Sequence, residues 1–126
     1  MNEDQAPHGE FRWILCGALS ICESLLMAVA NGEVCAPIVI VMPDDAPLSS
    51  RTRIQLITQY LGVESEIDRR EDLSAKLREA HLVVTCRFRL LSPAEFMAPK
   101  LGSVNLHTSL LPNWRGVHPV HRGLLR

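Results

Sequence analysis

Three stretches of this chain hold nearly uninterrupted apolar runs: "FRWILCGA" (11–18), "APIVIVMP" (36–43) and "HLVVTCRF" (81–88). Successive side chains of a strand point to opposite faces of its sheet, so a strand built from such a run must be covered on both sides. That requirement disfavours a one-sided antiparallel sheet and favours a parallel sheet with helices on both faces. The intervening segments read as those helices. Ser20 and Glu23 stand in the S-x-x-E relation of a capping box ahead of "SLLMAVANG", with Gly32 suited to the stop. "DDAPLSS" reads as a loop, after which "RTRIQLITQYLG" places Ile54, Ile57, Tyr60 and Leu61 at helical spacing before Gly62. "VESEID" is a weakly alternating strand near a sheet edge, and "EDLSAKLREA" is a helix with Leu73 and Leu77 four apart on one face. "SPAEFM" again carries helix-start chemistry: Ser92 as cap, Pro93 at the first helical position and Glu95 completing the box. "SVNLHTS" is the last strand, and Pro119 opens a final helix. Alternating strands and helices of this kind predict an α/β fold, a Rossmann-like parallel sheet flanked by helices.

A chain of 126 residues fits one domain able to bury roughly two-thirds of its unfolded surface. Residues 1–10 read as a flexible N-terminal tail and 11–126 as the domain. The last acidic residue is Glu95, so residues 96–126 carry only Lys100, Arg115, Arg122 and Arg126. Such a positive segment suits an anionic ligand or an acidic partner region. Cys16, Cys22, Cys35 and Cys86 form no Cys-x-x-Cys pair and read as reduced, buried packing residues. The tail has neither the charge pattern nor the apolar core of a targeting peptide, and no apolar run approaches the roughly 18 residues of a membrane span. A cytoplasmic protein with no membrane association is the expectation.

Chemistry concentrates at the end of the last strand. Asn105 and His107 are two apart, so strand geometry turns both to one face. A primary amide offers N–H donors to a developing oxyanion, and an imidazole moves protons near neutral pH. Together they suit attack on a carbonyl carbon. An isolated Asn-x-His reads first as a polar strand end satisfied by loop backbone. His107, His118 and His121 offer a metal-site alternative, but no cysteine or carboxylate follows to complete the shell, so no metal is expected. The first turn, "CGALSICES", lacks G-x-G-x-x-G, which argues against a dinucleotide. No basic stripe with interleaved aromatics is present, which argues against nucleic acid.

The longer string "NLHTSLLPNWRG" (105–116) resembles the signature of the folate-dependent formyltransferases, N-[hydrophobic]-H-x-S-L-L-P-x-x-R-G. Ahead of it, "HLVVTCRFRLLSPAEF" is similar to the family's strand followed by R-[IL]-L-[ST]-P, and "WILCGALS" to its first strand and turn. The resemblance covers 12–126. It implies the N-terminal catalytic fold of that family, C-terminally incomplete, and transfer of a formyl group from 10-formyltetrahydrofolate, as co-substrate, to an acceptor amine through a tetrahedral intermediate. It further implies that Asn105 stabilises the oxyanion and that His107 supports it and assists proton transfer. Arg89, Leu90 and Leu91 would line the folate pocket through backbone groups and apolar contact. Ser109, Pro112, Arg115 and Gly116 would shape the following loop.

Two departures stand out. The family's third catalytic residue is an Asp further along the chain, whereas no Asp or Glu follows Glu95 here. Phe88 also stands where several members carry a small residue, which bears on pocket width. The missing acid implies that the chain is the N-terminal portion of such an enzyme, inactive alone, or a half completed by another polypeptide or by self-association through an exposed sheet edge. A non-catalytic folate- or partner-binding fragment is the rival class. "RGVHPVHRGLL" (115–125) is closer to members acting on amino sugars or other small-molecule amines. Methionyl-tRNA formylation and formyltetrahydrofolate hydrolysis are the alternatives.

Overall fold

The computed structural model describes residues 11–18 and 20–107; the 1–10 tail and the helix expected from Pro119 lie outside the described residues. Strands β1 (Trp13–Gly17), β2 (Val39–Met42), β3 (Glu64–Ile67), β4 (Leu82–Cys86) and β5 (Ser103–Leu106) form one sheet in the order β3-β2-β1-β4-β5. Every neighbouring pair is parallel. Helices α1 (Ser20–Ala30), α2 (Leu48–Leu61), α3 (Ser74–Leu77) and α4 (Pro93–Phe96) alternate with the strands. The chain steps outward from β1 to β3 on one side and restarts at β4 on the other. The switch point of this Rossmann-like sheet therefore lies between β1 and β4, where open α/β sheets place their ligands.

The apolar runs are buried on both faces. Trp13, Leu15, Ile40 and Met42 pack with Cys22 and Leu26 of α1 and Ile54 of α2. Ile14, Cys16, Val39, Val41 and Val83 pack with Leu73, Leu77 and Ala80 on the opposite side. β3 lies at one edge with Glu64 and Ser65 exposed, as its weak alternation suggests.

Helix ends follow local chemistry more closely than helix starts. α1 and α2 both close on a left-handed glycine, Gly32 (φ 76°) and Gly62 (φ 71°). In each, the glycine N–H and the next N–H turn back onto the last turn: Gly32 to Val29 O (3.0 Å) and Glu33 to Ala28 O (2.9 Å), Gly62 to Gln59 O (3.3 Å) and Val63 to Thr58 O (2.9 Å). The capping box expected at Ser20 differs from what is found. Ser20 is already helical, and the Glu23 carboxylate instead takes the Arg53 guanidinium of α2 at 2.6 Å. α2 starts at Leu48, inside the expected loop, with Pro47 as its N-cap. Tyr60 does not join the buried face of α2 and is 85% exposed.

The helix expected over 71–80 shortens to the single turn of α3. Asp72 accepts from the Ser74 N–H at its start, and short-range bonds from Glu79 N to Lys76 O and Ala80 N to Leu77 O tighten the chain towards β4. Leu73 and Leu77 are buried as expected. The capping box of α4 forms as read: Ser92 accepts from the Glu95 N–H, and the Glu95 carboxylate accepts from the Ser92 N–H.

Glu95 does more than cap. It is 2% exposed, yet its carboxylate takes both terminal nitrogens of Arg89 (3.0 and 2.9 Å) and the Leu73 N–H (2.9 Å) as well as Ser92. Arg89 Nε reaches the buried Asp68 at 2.8 Å. The arginine hydrogen bonds hold Glu95 well below the ordinary carboxylate range, at about 2, against the opposing effect of burial.

Two predictions come from this packing. Gly17 (φ 153°) lies against β4, where an added Cβ would meet the Cys86 carbonyl oxygen at 2.5 Å and Cys22 Sγ at 2.9 Å. Gly17→Ala is expected to cost about 1–3 kcal/mol, read as a lower urea midpoint at unchanged slope. An unchanged midpoint would refute so close an approach of β1 and β4. Because the folded pKa of Glu95 is depressed, its contribution is complete above the unfolded value near 4.5 and is lost as pH falls towards about 2. Stability measured by urea titration is expected to drop by about 3 kcal/mol across that window, more in the wild type than in Glu95→Gln. Equal acid sensitivity of the two proteins would contradict it.

Candidate active site

Parallel register sets Thr85 of β4 beside Asn105 of β5, on the face that carries Val83 and Cys16. The Thr85 hydroxyl donates to Asn105 Oδ1 at 2.9 Å. That bond fixes which half of the amide is committed. With the carbonyl oxygen taken, the N–H half of Asn105 is what remains to meet a ligand, and the residue is exposed.

The two residues line a groove of about 180 Å³ together with Phe88, Arg89, Leu90, Leu91, Phe96, Ser103 and Val104. Arg89, Leu90 and Leu91 therefore share one cavity with Asn105. Leu90 is 95% exposed, Leu91 is half-buried, and Phe96 and Val104 also leave much of their apolar surface open. Arg89 contributes to the lining while its guanidinium is engaged by Asp68, Glu95 and the Glu71 carbonyl oxygen (3.0 Å). Phe88 is one of the groove's walls and packs its ring 5.4 Å from the Arg89 guanidinium carbon. His107 follows β5 directly and is half-buried, but it is not among the residues lining this groove. Ser109, Pro112, Arg115 and Gly116, like His118 and His121, lie outside the described residues.

Sequence reasoning passes over Thr85, which only the register of β4 against β5 identifies, and over Asp68, whose carboxylate becomes a partner of Arg89 through the fold. Phe96 and Val104 were likewise not singled out. The signal for Glu95 is present in the capping box, but not its second task.

The cysteines are free thiols. Cys16, Cys22 and Cys86 are buried, whereas Cys35 is only half-buried and donates weakly towards the Phe11 carbonyl oxygen. Burial first, then the nearby Asp68 charge, pushes Cys16 up to about 12, and the contact with Cys22 together with burial raises Cys86. Neither thiol is poised as a nucleophile. Among the described residues no cluster of His, Cys, Asp and Glu could hold a metal, and no helix is long and apolar enough to cross a membrane.

The residues suit a folate ring system in kind. Apolar walls with one oriented amide are the common make-up of a small-molecule site, and open leucine and phenylalanine surface is what a flat ring would cover.

Comparison with known proteins identifies the family. Residues 12–126 match the family model described as formyl transferase. Among similar proteins are the methionyl-tRNA formyltransferases of Porphyromonas gingivalis (29% identical, covering 91% of this chain and 38% of that protein), Neisseria meningitidis (30%, covering 88% and 40%) and Chlorobium luteolum (33%, covering 67% and 26%). The chain thus spans between about a quarter and two-fifths of the length of these relatives. A family match over almost the entire sequence shows that this chain belongs to the formyl transferase family.

Proposed function

We propose that the groove beside Asn105 binds the formyl donor 10-formyltetrahydrofolate and that the protein passes its formyl group to the amine of methionyl-tRNA. The donor supplies an electrophilic formyl carbon. Leu90, Leu91, Phe88 and Phe96 would cover the apolar ring, and the backbone of 89–91 would meet its polar edge. Asn105 would donate from its amide N–H to the formyl oxygen as negative charge builds there during attack by the amine. His107, just past β5, would take up the proton that the amine releases, and N10 of the departing tetrahydrofolate would gain a proton as its bond to the formyl carbon breaks and the amide forms.

The observation that carries this reading is the Thr85–Asn105 hydrogen bond, because it presets the amide with its donors towards the ligand side. A preset donor does not have to reorient when charge develops, which is where such groups gain their effect. The choice of acceptor rests on the relatives, whose names specify methionyl-tRNA. It replaces the small-molecule amine suggested by residues 115–125, which lie outside the described residues, and the sequence expectation of no nucleic-acid partner. We further infer a cytoplasmic setting, in keeping with the free thiols.

The test uses the full-length protein that carries this chain, with 10-formyltetrahydrofolate and either methionyl-tRNA or a nucleotide-linked amino sugar as acceptor. Formylation of the tRNA is expected and of the sugar is not; the opposite pattern overturns the acceptor assignment. Asn105→Ala should lower turnover about 100- to 1,000-fold. Binding of 5-formyltetrahydrofolate, a stable probe, should change little. Thr85→Val, which keeps shape and removes the donor to Oδ1, should lower turnover about tenfold, a loss of roughly 1.4 kcal/mol in transition-state stabilisation. Undiminished turnover in Asn105→Ala would defeat the proposal.

A further inference from the structure

Leu90 raises a physical question. It is 95% exposed, it lies in a segment without regular secondary structure, and three residues earlier the backbone passes through a left-handed conformation at Arg87 (φ 49°). A segment like this would ordinarily sample many conformations, and a ligand binding to it would have to order it. Here both flanks of Leu90–Leu91 are tied to one carboxylate. Glu95 Oε1 accepts from Arg89 Nη1 on one side (3.0 Å) and from the Ser92 N–H on the other (2.9 Å). Glu95 Oε2 takes Arg89 Nη2 (2.9 Å) and reaches across to the Leu73 N–H (2.9 Å). Asp68, just past the end of β3, fixes Arg89 from the opposite direction through Nε and accepts from the Arg70 N–H at 3.1 Å. Neither carboxylate lines the groove.

We propose that Glu95, seconded by Asp68, is a positioning residue for the formyl donor, holding residues 89–92 in the shape that the donor's ring system meets. This rests on the assignment of the groove to the donor. Glu95 does not touch the reacting atoms. It acts through Arg89 and Ser92, by keeping the two leucines between them from having to be ordered anew at each binding event. Fixing one backbone residue corresponds to roughly tenfold in affinity, so releasing one flank should weaken donor binding by about that factor and leave the chemical step alone.

Glu95→Gln tests this because it keeps the side chain's size while placing an N–H₂ group against donors that cannot accept from it. In the full-length protein the KM for 10-formyltetrahydrofolate is expected to rise about tenfold. At saturating donor, kcat should stay within about threefold and the KM for the acceptor should not move. Titration calorimetry with 5-formyltetrahydrofolate should show the same weakening. Asp68→Asn, which leaves the two-flank tie intact, should shift donor affinity in the same direction by about threefold, and it keeps the inference testable if Glu95→Gln fails to fold. Lower kcat or a lower active fraction at unchanged donor KM would mean a purely structural carboxylate and would overturn the inference. Wild-type protein that does not bind 5-formyltetrahydrofolate would instead overturn the assignment of the groove.

Discussion

The carboxylate of Glu95 is the point on which the site's geometry depends. Four donors from three residues converge on its two oxygens. Two belong to Arg89, whose remaining bonds run to Asp68 and the Glu71 carbonyl oxygen, so α4, the turn before α3 and the end of β3 are joined through one guanidinium. A buried ion pair of this sort contributes little net stability over an apolar replacement, because desolvation offsets most of the attraction. Breaking it is another matter, since the orphaned charge remains buried. Such a network therefore specifies where a loop sits more than it strengthens the fold. That suits a segment that must expose leucine side chains to a ligand and still hold one conformation.

The sheet gives that loop something to work against. Because β1 is covered on both faces by its own apolar run, it takes the centre, and β4 joins it closely enough that a Cβ on Gly17 would strike Cys86. β5 adds to the far side of β4, and the parallel register sets Asn105 level with Thr85. A shift of one residue in that register would turn Asn105 to the opposite face, towards the cluster where Leu106 packs. The hydrogen bond to Thr85 is thus a consequence of strand pairing as much as of side-chain choice.

How far the sequence speaks for itself follows the range of the physics involved. The parallel sheet was legible because the runs around Leu15, Ile40 and Val83 have no polar alternation, and no partner residue is needed to see that. The glycine stops at Gly32 and Gly62 and the Ser92 capping box were legible for the same reason, being contacts within a few residues. The start of α1 departs from the local reading: Ser20 is already helical and Glu23 pairs with Arg53 thirty residues away, a tertiary ion pair that local spacing does not reveal. Tyr60 failed because its spacing matches a helix face whose inner positions are already filled by Ile54, Ile57 and Leu61. Asn105 was legible only as part of a long string; what orients it, Thr85, becomes visible once the register is known.

The charges around the groove bear on the proposed oxyanion. A carboxylate lining it would repel negative charge building on a formyl oxygen, and in a low-dielectric cleft that repulsion is not screened as it is in water. Among the described residues, Arg89 is the charged one that lines the groove, whereas its partners Asp68 and Glu95 stay buried behind it. The arrangement places neutral donors and one balanced cation around the space and keeps the acids out of it. In the proposed reading, the same ion pairs that would order the 89–92 segment would also leave Asn105 to face the developing charge without a competing anion among the groove's described walls, so positioning and electrostatic preparation would be two results of one set of contacts.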